Sequence, residues 1–166
     1  MSFGSIVGYQ GASNVEVLSD GDKKFVKVYN GTGSALARGA IGRLSYKWIS
    51  GSGVVGYFVG GAFATNTAQG EKVAVVCNFP KGKNTIPDGE YGYVQIAGLC
   101  DYVATSGTVA ANDQLQIIDS GTAMIDQGTD GGAKIAGDTC GIAVANVATD
   151  VWQVYLIDKY STIAAS

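Results

Sequence analysis

Tyr91 to Val103, YGYVQIAGLCDYV, is the stretch whose reading decides the fold. Val94, Ile96, Cys100 and Tyr102 hold even positions, while Tyr91, Tyr93, Gln95 and Asp101 hold odd ones, which is the period of two of a half-buried strand. Gly98 interrupts the run and reads as a β-bulge. Near the far end, VWQVYLI over Val151 to Ile157 puts Trp152, Val154 and Leu156 on one side and Gln153 on the other. A sheet carrying both strands has one apolar face and one face decorated with aromatic and amide side chains.

Further strands follow outward from this pair. NVEVLS (14–19) and FVKVY (25–29) alternate on either side of Asp20-Gly21-Asp22, a turn signal because Gly accepts positive φ, and together they read as a hairpin. Ala40 to Leu44, Tyr46 to Ile49, VVGYFV (54–59) and KVAVVCNF (72–79) come next, then a loop bracketed by Pro80 and Pro87. Beyond the central strand lie LQII (115–118), Ala123 to Ile125 and GIAVANV (141–147). No stretch keeps a helical period over three turns. Short strands separated by turn residues predict an all-β fold, an antiparallel β-sandwich or small β-barrel. With 166 residues one core suffices, so residues 14–166 are read as a single β-rich domain and residues 1–13, small and polar with scattered apolar side chains, as an extended N-terminal arm.

A cadence recurs along the chain. Gly33 to Ile41, GSALARGAI, and Gly107 to Leu115, GTVAANDQL, each run from a glycine turn through small or apolar residues and a polar tight turn into a strand. The likeness is of residue class and not of identity; duplication or a shared β-loop design would both produce it, the second being the plainer account.

Composition narrows the function. Charged residues make up 15%, against roughly 25% in an average domain, so the surface is poor in solvating charge although the chain is far from a disordered composition. Other chains are expected to cover part of such a surface. The net charge of −3 is unevenly spread: residues 1–83 hold nine Lys/Arg and four Asp/Glu, or +5, and residues 84–166 hold two and ten, or −8. Complementary packing between copies would use that asymmetry, although an uneven spread over one surface is the simpler reading. No run of basic residues suggests nucleic acid as a partner, and no segment reaches the roughly 18 apolar residues of a membrane span. MSFGSIVGYQ lacks the basic start and continuous apolar stretch of a secretion signal, so synthesis in the cytoplasm is expected.

Catalysis finds little support. There is no histidine, which removes Ser-His-Asp triads and most zinc sites, and Glu16, Glu71 and Glu90 read as solvated carboxylates beside turns. Gly51-Ser52-Gly53-Val54-Val55-Gly56 fits G-x-G-x-x-G but runs into a strand and not into the helix that would hold a pyrophosphate. The loop from Asp126 to Gly131 starts like a calcium loop and then has Gly137 where a bidentate Glu is needed. Cys77, Cys100 and Cys140 each lie in a strand-like run and read as free, slow thiols. No enzyme activity, cofactor or metal is expected. The candidate partner-binding residues are Phe3, Ile6, Val7 and Tyr9 of the arm, too apolar to be idle in water, and the aromatics Tyr46, Trp48, Tyr57 and Phe58. Deleting residues 2–10 is expected to leave a folded domain that binds its partner poorly.

GEYGYVQIAGLCDYVATSGTVAANDQLQI (89–117) followed by AGDTCGIAVANVATDVWQVYLI (136–157) resembles the capsid decoration, or cement, proteins of tailed bacteriophages. Those chains run strand, small-residue loop, a turn of the form GD-L, strand, then G-x-A and a closing strand. Here the turn is Asn112-Asp113-Gln114-Leu115, a departure from Gly-Asp, and the closing element opens with Gly141-Ile142-Ala143. The resemblance covers residues 89–157 and is weaker over the first 60. It implies a β-rich structural protein on the exterior of the virion, often a homotrimer, that binds the major capsid protein and clamps the head shell. A glycan-binding module of a phage tail or fibre, using the aromatics as sugar platforms, is the alternative.

Overall fold

The structure, a computed structural model, describes residues 15–60, 72–117, 123–126 and 139–158. Twelve strands follow one another without a helix among the described residues: β1 Val17–Asp20, β2 Lys23–Asn30, β3 Leu36–Ala37, β4 Ile41–Ile49, β5 Gly53–Gly60, β6 Lys72–Val76, β7 Thr85–Ile86, β8 Tyr91–Ala104, β9 Gln114–Ile117, β10 Met124–Asp126, β11 Gly141–Ala148 and β12 Val151–Leu156. The all-β reading therefore holds. The β1–β2 hairpin turns where expected, with Asp20 opposite Lys23 and Gly21 at φ +60°. Two expected pieces, Ala40 to Leu44 and Tyr46 to Ile49, form the one strand β4, and the two-residue strands β3 and β7 carry too few residues to show a period.

The pairings close two rings. β2 pairs with β5, β5 with β4, β4 with β6, β6 with β8 and β8 with β2 again, giving a five-stranded barrel. β8 then continues into a second ring, pairing with β12, which pairs with β11, then β9, then β10. β10 returns to the end of β8 through a bridge from Met124 to Thr105. The long strand β8 is thus the last strand of one barrel and the first strand of the next. Most pairings are antiparallel, but each ring also holds a parallel contact, β2 with β5 and Thr105 with Met124.

Equivalent hydrogen bonds relate the two barrels. In the turn Ala37 to Ala40, Gly39 has φ +87° and donates to Val76 O at 2.8 Å, while Val76 N donates to Ala40 O at 2.9 Å. In the turn Ala110 to Asp113, Asn112 has φ +71° and donates to Ala143 O at 2.8 Å, while Ala143 N donates to Asp113 O at 2.9 Å. Asn30 N donates to Glu90 O at 2.9 Å as Thr105 N donates to Asp150 O at 2.8 Å, and Phe58 opposite Asn30 stands where Met124 stands opposite Thr105. These are the two turns whose cadence recurs in the sequence, so the molecule is a tandem repeat of one five-stranded unit.

Two buried clusters fill the rings. Val26, Val28, Leu44, Phe58, Ala74, Val76, Val94 and Ile96 form the first, closed over by Leu36 and Ile86 of the β3–β7 pair. Cys100, Val103, Leu115, Met124, Ala143, Val154 and Leu156 form the second, joined by Ile41, Val73 and Val75 from the outer face of the first barrel. β6 is buried on both sides, Ala74 and Val76 toward one core and Val73 and Val75 toward the other, which is why KVAVV reads as a continuous apolar run. Truncating Phe58, fully buried, would cost about 3–5 kcal/mol.

Gly98 is where β8 passes from one barrel to the next. Its φ is +79°, and a Cβ there would lie 2.6 Å from Asp22 O, so only glycine fits. Gln95, expected on the open amide-decorated face, is instead buried and donates to Ala97 O at 2.9 Å and Leu99 O at 3.1 Å. The register of β8 against β2 shifts between Gln95 and Ala97, and the amide donates to carbonyls on both sides of Gly98.

Candidate partner-binding surface

Phe3, Ile6, Val7 and Tyr9 lie outside the described residues. The four remaining candidates divide. Phe58 is fully buried in the first barrel, so the placement of that ring on a binding surface is corrected: its position opposite Asn30 puts it inside the ring of strands. Tyr57, next in the strand, points outward, is half-buried, and donates its hydroxyl to Gly31 O at 3.1 Å. Tyr46 and Trp48 stand on β4 at 50% and 62% exposure. They share a strand face with Leu44, which is buried, because the β4–β5 hairpin runs on past the barrel and carries its inner face into solvent. From Ile41 in the inter-barrel cluster to Trp48 is seven residues, about 23 Å of strand. Trp48 is thus held at a tip well away from the second barrel.

A second surface is a ladder of tyrosines outside the first barrel. Tyr29 pairs across the strands with Tyr57 on one side and Tyr91 on the other, with ring centroids 6.0 and 5.3 Å apart. Lys47 Nζ lies 4.8 Å from the Tyr57 ring centre and Lys27 Nζ 5.6 Å from that of Tyr91, which makes the ladder both aromatic and cationic. Lys27 also approaches Glu16 at 3.8 Å, and Tyr93 donates to the same carboxylate at 2.7 Å. Burial, with the Glu16 hydrogen bond and charge added, pushes Tyr93 up to about 12.

The grooves are of another character. One of about 410 Å³ has Phe25, Phe79 and Tyr102 on its walls together with charges of both signs, including Lys23, Arg38 and Asp101. A smaller one of about 200 Å³ lies between Phe79 and Ile86. Tyr46 and Trp48 line neither. Among the described residues no group of three or more His, Cys, Asp or Glu side chains could hold a metal ion, and Asp126 alone of the suspected calcium loop from Asp126 to Gly131 is described.

Neither a family model nor a curated protein matches the chain. Among solved structures it is similar to the N base of the head fiber protein gp8.5 of bacteriophage phi29, with 11% identity and a TM-score of 0.44 over 82% of this chain and 98% of that one. At that identity and TM-score the likeness transfers no residue role and no partner to this chain.

The thiols are inert by environment. Cys77 and Cys100 are buried and Cys140 is half-buried, and none of the three is in a disulfide. Burial pushes Cys77 up to about 12, with the neighbouring Cys100 adding to the shift, and pushes Cys100 up to about 11. Asp158, just beyond β12, takes Lys24 at 3.1 Å and Lys72 at 2.6 Å. Burial would raise its carboxyl, but the two lysine hydrogen bonds outweigh that and hold it below the usual carboxylate value.

Sequence reasoning reached Tyr46 and Trp48 through their aromatic character. It reached Tyr57 but missed the rest of the cationic ladder, whose signal was present in Tyr91 and in the alternation FVKVY around Lys27 and Tyr29, but whose assembly depends on a parallel β2–β5 contact that no local pattern reports.

Proposed function

We propose that this chain is a non-enzymatic structural protein of a tailed-phage virion, binding the major capsid protein on the outer surface of the head and stabilising the shell as a homo-oligomer, a trimer in the simplest case. The observation that carries the proposal is the β4–β5 tip, where Trp48 is 62% exposed on a hairpin that extends beyond its own barrel. A large ring held in water on a rigid strand is costly for an isolated protein and suits an anchor buried by a partner. The sequence resemblance over residues 89–157 supplies the identity of that partner. Low surface charge agrees with it, because an uncharged surface loses less on desolvation than one covered with ion pairs, and repeated weak contacts across a shell add through avidity.

The test is co-sedimentation of the full chain with empty heads built from the cognate capsid protein. Wild type should pellet with the heads, and Trp48→Ser should bind roughly tenfold more weakly while keeping its unfolding temperature, since the ring touches little of its own fold. A wild-type chain left in the supernatant, or a Trp48→Ser chain that binds as tightly as wild type, would overturn the proposal.

A further inference from the structure

The tandem repeat exposes on one unit what it buries on the other. On the outer face of the first barrel, one row crosses four strands: Phe25 opposite Gln95, Gln95 opposite Val75, Val75 opposite Ile41. All four are buried, and Val75 and Ile41 belong to the cluster that the second barrel completes. The equivalent row on the second barrel is Leu99 opposite Tyr155, Tyr155 opposite Ile142, Ile142 opposite Gln114. There Tyr155 is 43% exposed, Gln114 is exposed, and Leu99 and Ile142 are half-exposed, with Val144 beside them at 43%. The second barrel therefore presents a partly apolar sheet face whose counterpart on the first barrel is covered by the neighbouring unit at Val75 and Ile41.

We infer that this row is covered by a second copy of the chain, which presents the cationic tyrosine ladder Tyr29, Tyr57 and Tyr91 of its first barrel in a head-to-tail contact. The inference deepens the self-association part of the proposed function and rests on it, but not on the capsid part. Two observations select the occupant. Within the chain, two members of the row's twin, Val75 and Ile41, already pack against the other five-stranded unit, so the fold contains a precedent for covering that part of the face. Local charges also differ in sign: Lys27 and Lys47 lie over the ladder's rings, whereas Asp113 stands at one end of the row and Asp22 accepts from the Tyr155 hydroxyl. Row against row would set acid against acid. Because ladder and row are different surfaces, the contact is heterologous and closes a ring when its rotation permits.

Sedimentation velocity on the full chain without capsid, over a wide range of concentration, tests this with two variants, Ile142→Lys in the row and Tyr91→Ser in the ladder. Both side chains face outward, and circular dichroism and thermal unfolding check that the fold is kept. Wild type should associate, more weakly as salt rises, and each variant alone should associate at least roughly tenfold more weakly. An equimolar mixture of the two should form a dimer that grows no further, because each pair of unlike chains retains one intact ladder and one intact row. A wild-type chain that stays monomeric throughout would remove the self-association reading and this one with it. Association of wild type and Ile142→Lys to the same degree would overturn the row assignment alone, leaving self-association standing. Failure of the mixture to dimerise would overturn the head-to-tail pairing.

Discussion

At Gly98 and Gln95 a single residue position and a single amide hold the junction between the barrels. Gly98→Ala forces a side chain into positive φ and against Asp22 O, and is expected to cost about 2–4 kcal/mol, measured as a shift in the urea midpoint. Gln95→Leu keeps the volume but strands the carbonyls of Ala97 and Leu99, and is expected to cost about 1–3 kcal/mol by the same measurement. The buried thiols predict a pH dependence. In the fold Cys77 and Cys100 hold their protons to about 12 and about 11, whereas the unfolded chain releases them near the ordinary 9.0. The unfolded state then binds fewer protons, so the thiols leave stability unaffected below pH 9 and lower it as pH rises from there toward 12, by up to about 1.4 kcal/mol per thiol per pH unit. Replacing both with alanine or valine should flatten that alkaline limb. A thiol reagent should label half-buried Cys140 first in the native state.

Between elements, the Asp158 carboxylate joins the end of β12 to the starts of β2 and β6 through Lys24 and Lys72. Asp158→Asn is expected to cost about 1 kcal/mol, most of it from the less exposed Lys72 contact, as read from thermal unfolding at low and high salt. Since the folded carboxyl lies below its ordinary value, this contribution is present above pH 3.8 and disappears as pH falls through the folded value. Strand positions were largely legible in the sequence because alternation is a local property: FVKVY, VVGYFV and VWQVYLI sit in β2, β5 and β12. Ring closure was not legible. It depends on which strands meet, and the parallel contacts of β2 with β5 and of Thr105 with Met124 join residues remote in sequence. Gln95 was misread because alternation gives the face of a residue and not what covers it: it keeps the outward phase of Tyr91 and Tyr93, but opposite Phe25 and Val75, on a face whose Val75 and Ile41 pack against the second barrel. Phe58 was misread because VVGYFV is apolar on both faces, so periodicity alone could not choose which aromatic turns inward. The repeat, faint in GSALARGAI and GTVAANDQL, became plain only through the hydrogen bonds of Gly39 and Asn112.

For the molecule as a whole, β8 belongs to both barrels, so neither can open without removing a wall from the other. Unfolding is expected to be one cooperative event, with calorimetric and van't Hoff enthalpies equal within error; two resolved heat-absorption peaks would contradict it. The same strand also decides how the protein carries load. A pull that draws one barrel away from the other along β8 meets a continuous covalent chain at the junction. To yield, it must slide Tyr91 to Ala97 out from between β2 and β6, or Gly98 to Ala104 away from β12. Those hydrogen bonds are then loaded in shear, side by side, and must fail together instead of parting one at a time as in a peeled hairpin. A joint between two separate domains would have its linker as the weak point; here the joint is the toughest line in the molecule.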